Sequence, residues 1–386
     1  MGKMSEQRNI PIALPMLGEE ERKAVQKPLE TGWLTQGPKV AEFERRFADR
    51  HKVKHAMAST SCTTATHLAL VAAGIGPGDE VIVPAFTWVS TANVVLFCGA
   101  TPVFVDVDSA TFNIDPAQIA ERVTERTKAI IPVHLFGLCA EMNEIKNSIP
   151  DHVVIIEDAA CAAGASYNNI PAGGLGDMAA FSFHPRKSIT TGEGGMLTTN
   201  NDEYAGRADL LRNHGASISE EQRHNGPRPY ILPEFNLMGF NYRMTDLQGA
   251  VGVEQLKKLD NFIEERNRWA SFYHDALADI GWLRTPEVPN HMRHAWQSYV
   301  TYVDSDTAPL PRNDIMDVLK NLGVATRPGT HAVHMLGVYA DRYDLKPDDY
   351  PGAKLADANS MAIPLHNRMT ADDYEYVVEA LHSIGE

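Results

Sequence analysis

Positive charge is scarce in this chain. Its 386 residues carry 35 Lys and Arg against 50 Asp and Glu, a formal net charge of −15. Nucleic-acid binding needs clustered Lys and Arg to neutralise phosphates, and no such cluster stands in the sequence. No nucleic-acid partner is expected, and any anionic ligand must be held by a few local groups. Cysteine is scarce as well. Cys62, Cys98, Cys139 and Cys161 lie far apart with no CxxC spacing, which argues against a disulfide framework and a zinc site and fits a reducing cytoplasm. Long apolar runs are missing too. No window reaches the roughly 18 apolar residues of a membrane span, and the opening MGKMSEQRNIPIALP has no apolar core of signal-peptide length. Met1-Gly2 alone does not make a myristoylation signal, so no membrane association is expected.

What the chain does have is enough apolar residue, 44%, to bury one large core and a smaller second one. Short β-rich runs at Glu80–Pro84, Thr101–Asp106, Ala129–Val133, Val153–Asp158, Ala179–Phe183 and Gly195–Thr199 alternate with helical patterns such as Thr63–Ala73 and Pro116–Val123. Nearly continuous apolar strands suit a sheet covered on both faces, so a mostly parallel sheet with helical layers is expected. A long helical pattern from Thr245 to about Ile280, with a stripe of Leu247, Val251, Leu256, Leu259 and Ile263, leads into a smaller α+β part. That part holds a strand at Ser298–Val303 and helices at Arg312–Leu322 and Asp372–Ile384. We divide the chain into a large domain, 1–250, and a smaller one, 251–386. The polar, Pro-containing stretch His214–Phe235 is the expected mobile loop.

The chemistry centres on residues 181–195, FSFHPRKSITTGEGG, where Lys187 sits among hydroxyls and glycines. Upstream, the apolar run 153–156 ends in Glu157-Asp158, which puts an aspartate at the end of a buried strand. A Schiff-base lysine with a carboxylate for a pyridine nitrogen is the pair that pyridoxal 5′-phosphate (PLP) requires. A loop lysine and an ordinary strand-end Asp read the same way in sequence. Ala58–Thr64, ASTSCTT, enters a helix and offers hydroxyls and backbone N–H groups to an anion, or simply caps that helix. Ser182 adds a hydroxyl near Lys187. Trp88 follows a strand at the ligand-binding edge of an open α/β sheet, where it either stacks on a planar ring or packs. His184 and Arg186 flank Lys187, and a neighbouring cation would depress its pKa and meet a substrate phosphate, unless both face solvent. His331 and His334 lack a third ligand at metal-binding spacing. No metal is expected.

Ordered motifs along the chain carry a resemblance: Gly32–Pro38 (GWLTQGP), Ser61–Leu70 (SCTTATHLAL), Glu157–Ala160 (EDAA), Phe181 through Lys187 to Gly195, and Gly239–Gln248 (GFNYRMTDLQ). In that order they closely resemble the DegT/DnrJ/StrS family of PLP-dependent sugar-nucleotide aminotransferases, over about residues 10–383. The resemblance implies an α/β, type I aminotransferase (aspartate aminotransferase-like) fold, with a large mixed, mostly parallel sheet and a smaller C-terminal α+β domain. It implies that Lys187 forms the Schiff base and Asp158 pairs with the ring nitrogen. Cys62, Thr63 and Ser182 would cradle the phosphate, Trp88 would stack on the ring, and Asn241 would reach the cofactor phosphate of a neighbouring subunit in a homodimer. Thr35 and the His331 region resemble segments bordering the sugar, while Arg186, Arg243, Arg327 and the 214–233 loop are candidates for its diphosphate.

Two positions depart from the family pattern. Cys62 stands where glycine is frequent, and Cys161 stands where Gln or His often faces the cofactor's 3′-hydroxyl. The implied reaction moves an amino group from L-glutamate to the 3- or 4-keto group of a nucleotide-linked deoxysugar, in cytoplasmic synthesis of amino sugars for surface polysaccharide or glycosides. A cyclitol or other cyclic ketone as acceptor, and a non-catalytic PLP-binding regulator, stay open. A sugar 3-dehydratase of this fold carries histidine in place of the lysine, which Lys187 argues against.

Overall fold

Strand ends and helix starts along one edge of a seven-stranded sheet position the candidate site. The computed structural model describes residues 8–218, 223–224 and 226–385. The strands are β1 (His55–Ser59), β2 (Glu80–Pro84), β3 (Thr101–Val105), β4 (Thr127–Ile130), β5 (Val154–Asp158), β6 (Met178–Ser182) and β7 (Gly195–Thr199). Their spatial order is β1-β7-β6-β5-β4-β2-β3. The pairs from β3 across to β6 are parallel, and β7 alone runs against its neighbours β6 and β1. The sheet is thus mixed and mostly parallel, as the alternating pattern predicts. Its central strands are buried on both faces, which is why they read as unbroken apolar runs.

Helices cover the faces: α1 (Pro38–His51), α2 (Cys62–Ala72), α3 (Ser90–Phe97) and α4 (Asp202–Arg212). The expected helix over 116–123 is instead two 3₁₀ turns, Pro116–Gln118 and Ala120–Arg122, with Asp115 capping the first. The segment ends where Val123 turns extended.

The 31-residue helix α5 (Asp246–Ala276) starts on a capping box in which Thr245 and Gln248 satisfy each other's backbone N–H groups. Its first half packs Val253, Leu256, Leu259, Phe262 and Ile263 into the core beneath the sheet. Its second half packs Ala270 and Tyr273 into a separate core. Leu247 and Val251, expected on its buried stripe, are only half-buried. The helix passes through position 250 unbroken, so any division there cuts a helix rather than a linker. The second core underlies a four-stranded antiparallel sheet of β8 (Leu283–Arg284), β9 (Tyr299–Val303), β10 (Arg327–Pro328) and β11 (Ser360–Ile363), in the order β8-β9-β11-β10. Helices α6 (Arg312–Asn321) and α7 (Ala371–His382) pack against it. A two-residue ladder pairing Phe86–Thr87 with His331–Ala332 brings this second body to the large sheet. The 214–235 loop closes on itself through Ala216–Phe235 pairing, and residues 219–222 and 225 within it lie outside the described residues.

Candidate active site

Asp158 ends β5 in a nearly dry environment, 6% exposed. Alternation along the strand turns its neighbour Glu157 to the opposite side, where that fully buried carboxylate accepts from His134 Nε2 (2.9 Å) and the N–H groups of Gly173, Leu175 and Gly176. Burial alone would raise the Glu157 pKa, but these donors outweigh it and hold the carboxyl below its ordinary range. Glu157 therefore organises a loop, and Asp158 is the acid presented to the site. Its Oδ2 accepts from Thr91 Oγ1 at 2.8 Å and its Oδ1 from the Ala160 N–H at 3.2 Å. Thr91 is held in turn by Thr87 Oγ1 at 3.1 Å. Sequence reading missed this hydroxyl pair, because only the fold brings α3 over the end of β5.

Lys187 lies on the turn after β6. Its backbone N–H donates to the His184 carbonyl (2.9 Å), the Arg186 N–H to His184 Nδ1 (3.2 Å) and the His184 N–H to Ser182 Oγ (3.4 Å). The ammonium donates to Cys161 Sγ at 3.1 Å. Burial pulls the Lys187 pKa down, but its hydrogen bond to Cys161 and the Asp158 carboxylate outweigh burial and leave the amine above the ordinary lysine range. The amine is thus not depressed, as it would be if the flanking His184 and Arg186 dominated its surroundings. His184 is itself pushed down, by burial first and then by Arg186, Lys187 and Arg327 against an opposing Glu193.

The anion cup forms at the start of α2. Ser61, in extended conformation, caps the helix by accepting from the Thr64 N–H, and Thr64 Oγ1 accepts from the Ser61 N–H at 3.0 Å. Cys62 and Thr63 are the first helical residues, so their N–H groups stand at the helix N-terminus. The helical conformation of Cys62 needs no glycine. Its thiol points inward, 3.4 Å from the Ala180 carbonyl and 3.9 Å from Asp158 Oδ1. Burial, reinforced by Asp158, pushes its pKa well up, which keeps it a neutral thiol. Gly195, opening β7 opposite Ser182, is required here, because a Cβ on it would overlap the carbonyl of Ser61. The cradle lies where β7 and the helix start nearly touch.

Other predicted residues divide into two groups. Arg327, on β10, comes close enough to Arg186 for the second guanidinium to lower its pKa, after the larger effect of burial. Trp88 is 55% exposed, with its ring centroid 5.7 Å from that of exposed His331. The second body therefore delivers Arg327 to the lysine turn and His331 to Trp88. Thr35, Asn241 and Arg243 lie on segments that no described hydrogen bond joins to that turn. The Thr35 carbonyl accepts from the Asp246 N–H (3.2 Å), Arg243 Nη1 donates to Asn213 Oδ1 (2.8 Å), and exposed Asn241 bridges to Asn213. His334 is buried, with Nε2 at 3.2 Å from the Pro347 carbonyl, so it does not face His331's surroundings. No cluster of three metal-binding side chains occurs among the described residues.

These residues fit PLP. A dianionic phosphate suits the α2 terminus and its glycine-lined cradle, a pyridine nitrogen suits Asp158, and Lys187 supplies the amine. Comparison with known proteins bears this out. The chain is 41% identical over 385 residues to the spore coat polysaccharide biosynthesis protein SpsC of Bacillus subtilis, covering 99% of each. It is 41% identical over 384 residues to GDP-perosamine synthase of Caulobacter vibrioides, covering 99% of this chain and 100% of that one. A Streptococcus pneumoniae protein solved in its PMP form superimposes with a TM-score of 0.92 at 27% identity, over 97% of this chain and 99% of its own. The fold is that of the type I aminotransferases and the cofactor is PLP. With residues 15–382 matching that family, the chain belongs to the DegT/DnrJ/EryC1/StrS aminotransferases.

Proposed function

We propose that the protein transfers an amino group from L-glutamate to the 3- or 4-keto group of a nucleotide-linked deoxysugar, in the cytoplasmic synthesis of amino sugars for surface polysaccharide or glycosides. The observation that carries this reading is the convergence of Lys187, Asp158 and the α2 terminus at one edge of the sheet. The names of the relatives, a spore coat polysaccharide biosynthesis protein and a GDP-perosamine synthase, support a sugar acceptor.

Bound PLP supplies an electron sink for the carbanion formed at the amino-bearing carbon. Lys187 would hold it covalently and would be the base that moves the proton at the amino-bearing carbon. Asp158, oriented by Thr91 and Ala160, keeps the ring nitrogen protonated. Cys62, Thr63 and Ser182 would hold the phosphate through backbone N–H and hydroxyl groups, and Trp88 would cover the ring. Cys161, the hydrogen-bond partner of Lys187, would be only a weak partner for the ring's 3′-hydroxyl. Arg186, Arg327, His184 and His331 line the acceptor side, with Thr35 and Arg243 contributing from bordering segments.

Asn241 completes the phosphate site of a second subunit. Exposed Phe97, Phe235, Leu237 and Met238 supply apolar surface for that homodimer. The test is a panel of keto-sugar nucleotides incubated with enzyme and L-glutamate and scored by mass for the aminated product. An aminated cyclic ketone with no aminated sugar nucleotide would overturn the acceptor assignment. Failure of glutamate to bleach the cofactor's visible band would overturn the donor.

A further inference from the structure

We propose that Gln297 is a positioning residue for Lys187. Its side-chain amide, held from the second body, pins the Arg186 carbonyl and so the turn that presents the amine. This rests on the reading that Lys187 carries the amine chemistry. Gln297 Nε2 donates to the Arg186 carbonyl at 2.9 Å, the peptide link that leads directly into Lys187. The rest of that turn is bonded within itself, through His184 and Ser182.

The segment that delivers Gln297 is held far more firmly than a surface connection requires. Trp296 has φ 47°, a left-handed conformation unfavourable for a bulky side chain. Its ring stacks on His294 (centroids 3.9 Å apart, 8° between planes) and its Nε1 donates to Asn267 Oδ1 at 2.9 Å. Arg266 on α5 donates through Nη1 to the carbonyls of Trp296 (2.8 Å) and Gln297 (3.2 Å), and through Nε to Asn367 Oδ1 (2.8 Å). This guanidinium is 5% exposed, and no carboxylate lies within salt-bridge distance of it among the described residues. A buried cation without a counter-charge is costly, and here it is committed to two carbonyls of the strained segment.

The large-sheet side meets this segment in the same way. Phe136 also has positive φ, 58°, and its carbonyl accepts from the Ser298 N–H (3.3 Å), while the Gly137 carbonyl accepts from the Ala295 N–H (2.8 Å). A Cβ on Gly137 would stand 3.1 Å from the Trp296 and Gln297 nitrogens and from the Cys161 carbonyl. The clamp thus reaches the lysine turn at the Arg186 carbonyl through Gln297, and Gly137 leaves no room for a side chain between this segment and the carbonyl of Cys161, whose thiol accepts from Nζ. Strain gathered at one joint and aimed at a reactive amine is the signature of preorganisation.

The experiment uses PLP-loaded enzyme and three readouts: the midpoint of the pH titration of its visible band, kcat against KM for the amino donor, and melting temperature. Gln297→Glu keeps the size and removes the donor. We expect it to displace the titration midpoint by about half a pH unit or more and to lower kcat about ten-fold, with KM within about two-fold. Gln297→His, which restores an N–H donor, should recover most of both. If Gln297→Glu does not yield folded protein, Gln297→Asn, whose amide stops short of the carbonyl, makes the same comparison. An unchanged midpoint and kcat overturn the assignment even if the melting temperature falls, because Gln297 then serves only to join the two bodies. A visible band retained in Lys187→Ala overturns the reading beneath it instead.

Discussion

The cofactor cup and the Gln297 clamp meet at the same lysine by opposite means. The cup is made of side chains and helix-terminal N–H groups whose chemical identity matters: Asp158, Lys187, Ser182, and Cys62–Thr63 at the start of α2. The clamp works through backbone carbonyls at Arg186, Trp296 and Gln297 and through a strained Trp296. Residues of the first kind cannot be exchanged without changing the chemistry. Those of the second matter for where they put something else. Mutations in the cup should abolish a step, whereas mutations in the clamp should detune it.

Lys187→Ala breaks the comparison most severely. It should lower glutamate-dependent turnover by about 10⁴-fold or more, measured as product formed per active site, with loss of the visible band. Asp158→Asn keeps the Thr91 contact in shape but removes the charge facing the ring nitrogen, and kcat should fall about 10²- to 10³-fold at saturating PLP. A fall of only a few-fold would place the electron sink elsewhere. Gly195→Ala tests whether the cradle is shape rather than charge. The added methyl would overlap the Ser61 carbonyl and should cost about 1–3 kcal/mol, visible as weaker PLP binding and a lower melting temperature. The last prediction concerns pH and separates the bodies least. Burial lowers His51 to about 4, His294 to about 3 and His366 to about 4. The unfolded chain takes up these protons near pH 6.5 while the folded one refuses them, so their stabilisation is present above about pH 6.5 and is lost as pH falls toward 4. Each histidine contributes a slope of about 1.4 kcal/mol per pH unit there. Melting temperatures measured from pH 7 to 4.5 should decline steadily, and a flat profile would sink this account.

The difference between the regions also explains what could be read from sequence. Strands β2 to β7 announced themselves as buried apolar runs, and the Lys187 and Asp158 motifs followed from the chemistry PLP needs. Strand β1, HAMAS, escaped because Ala, Met and Ser carry little strand preference, and its place comes from pairing with β7. Strand β11 escaped for a similar reason: SMAI is too short to show a period, and its order is set by neighbours β9 and β10. Thr91 looked like any helix hydroxyl until the fold set it against Asp158. Gln297 and Arg266 were invisible because a bond to a carbonyl leaves no mark on which residue supplies it. The direction of the Lys187 shift could not be read, because only the fold brings Cys161 and Asp158 to the amine.

Helix α5 acts as a ruler. Near its start Gln248 donates to the Glu193 carbonyl on the far side of the lysine loop, and further along Arg266 grips the segment that holds Arg186. At about 1.5 Å of rise per residue, the spacing between those two grips is fixed by counting residues on a rigid rod. Inserting or deleting a residue between 249 and 265 would rotate one grip relative to the other by about 100°. The loop would then lose its fixed span while every residue that touches the cofactor stayed unchanged.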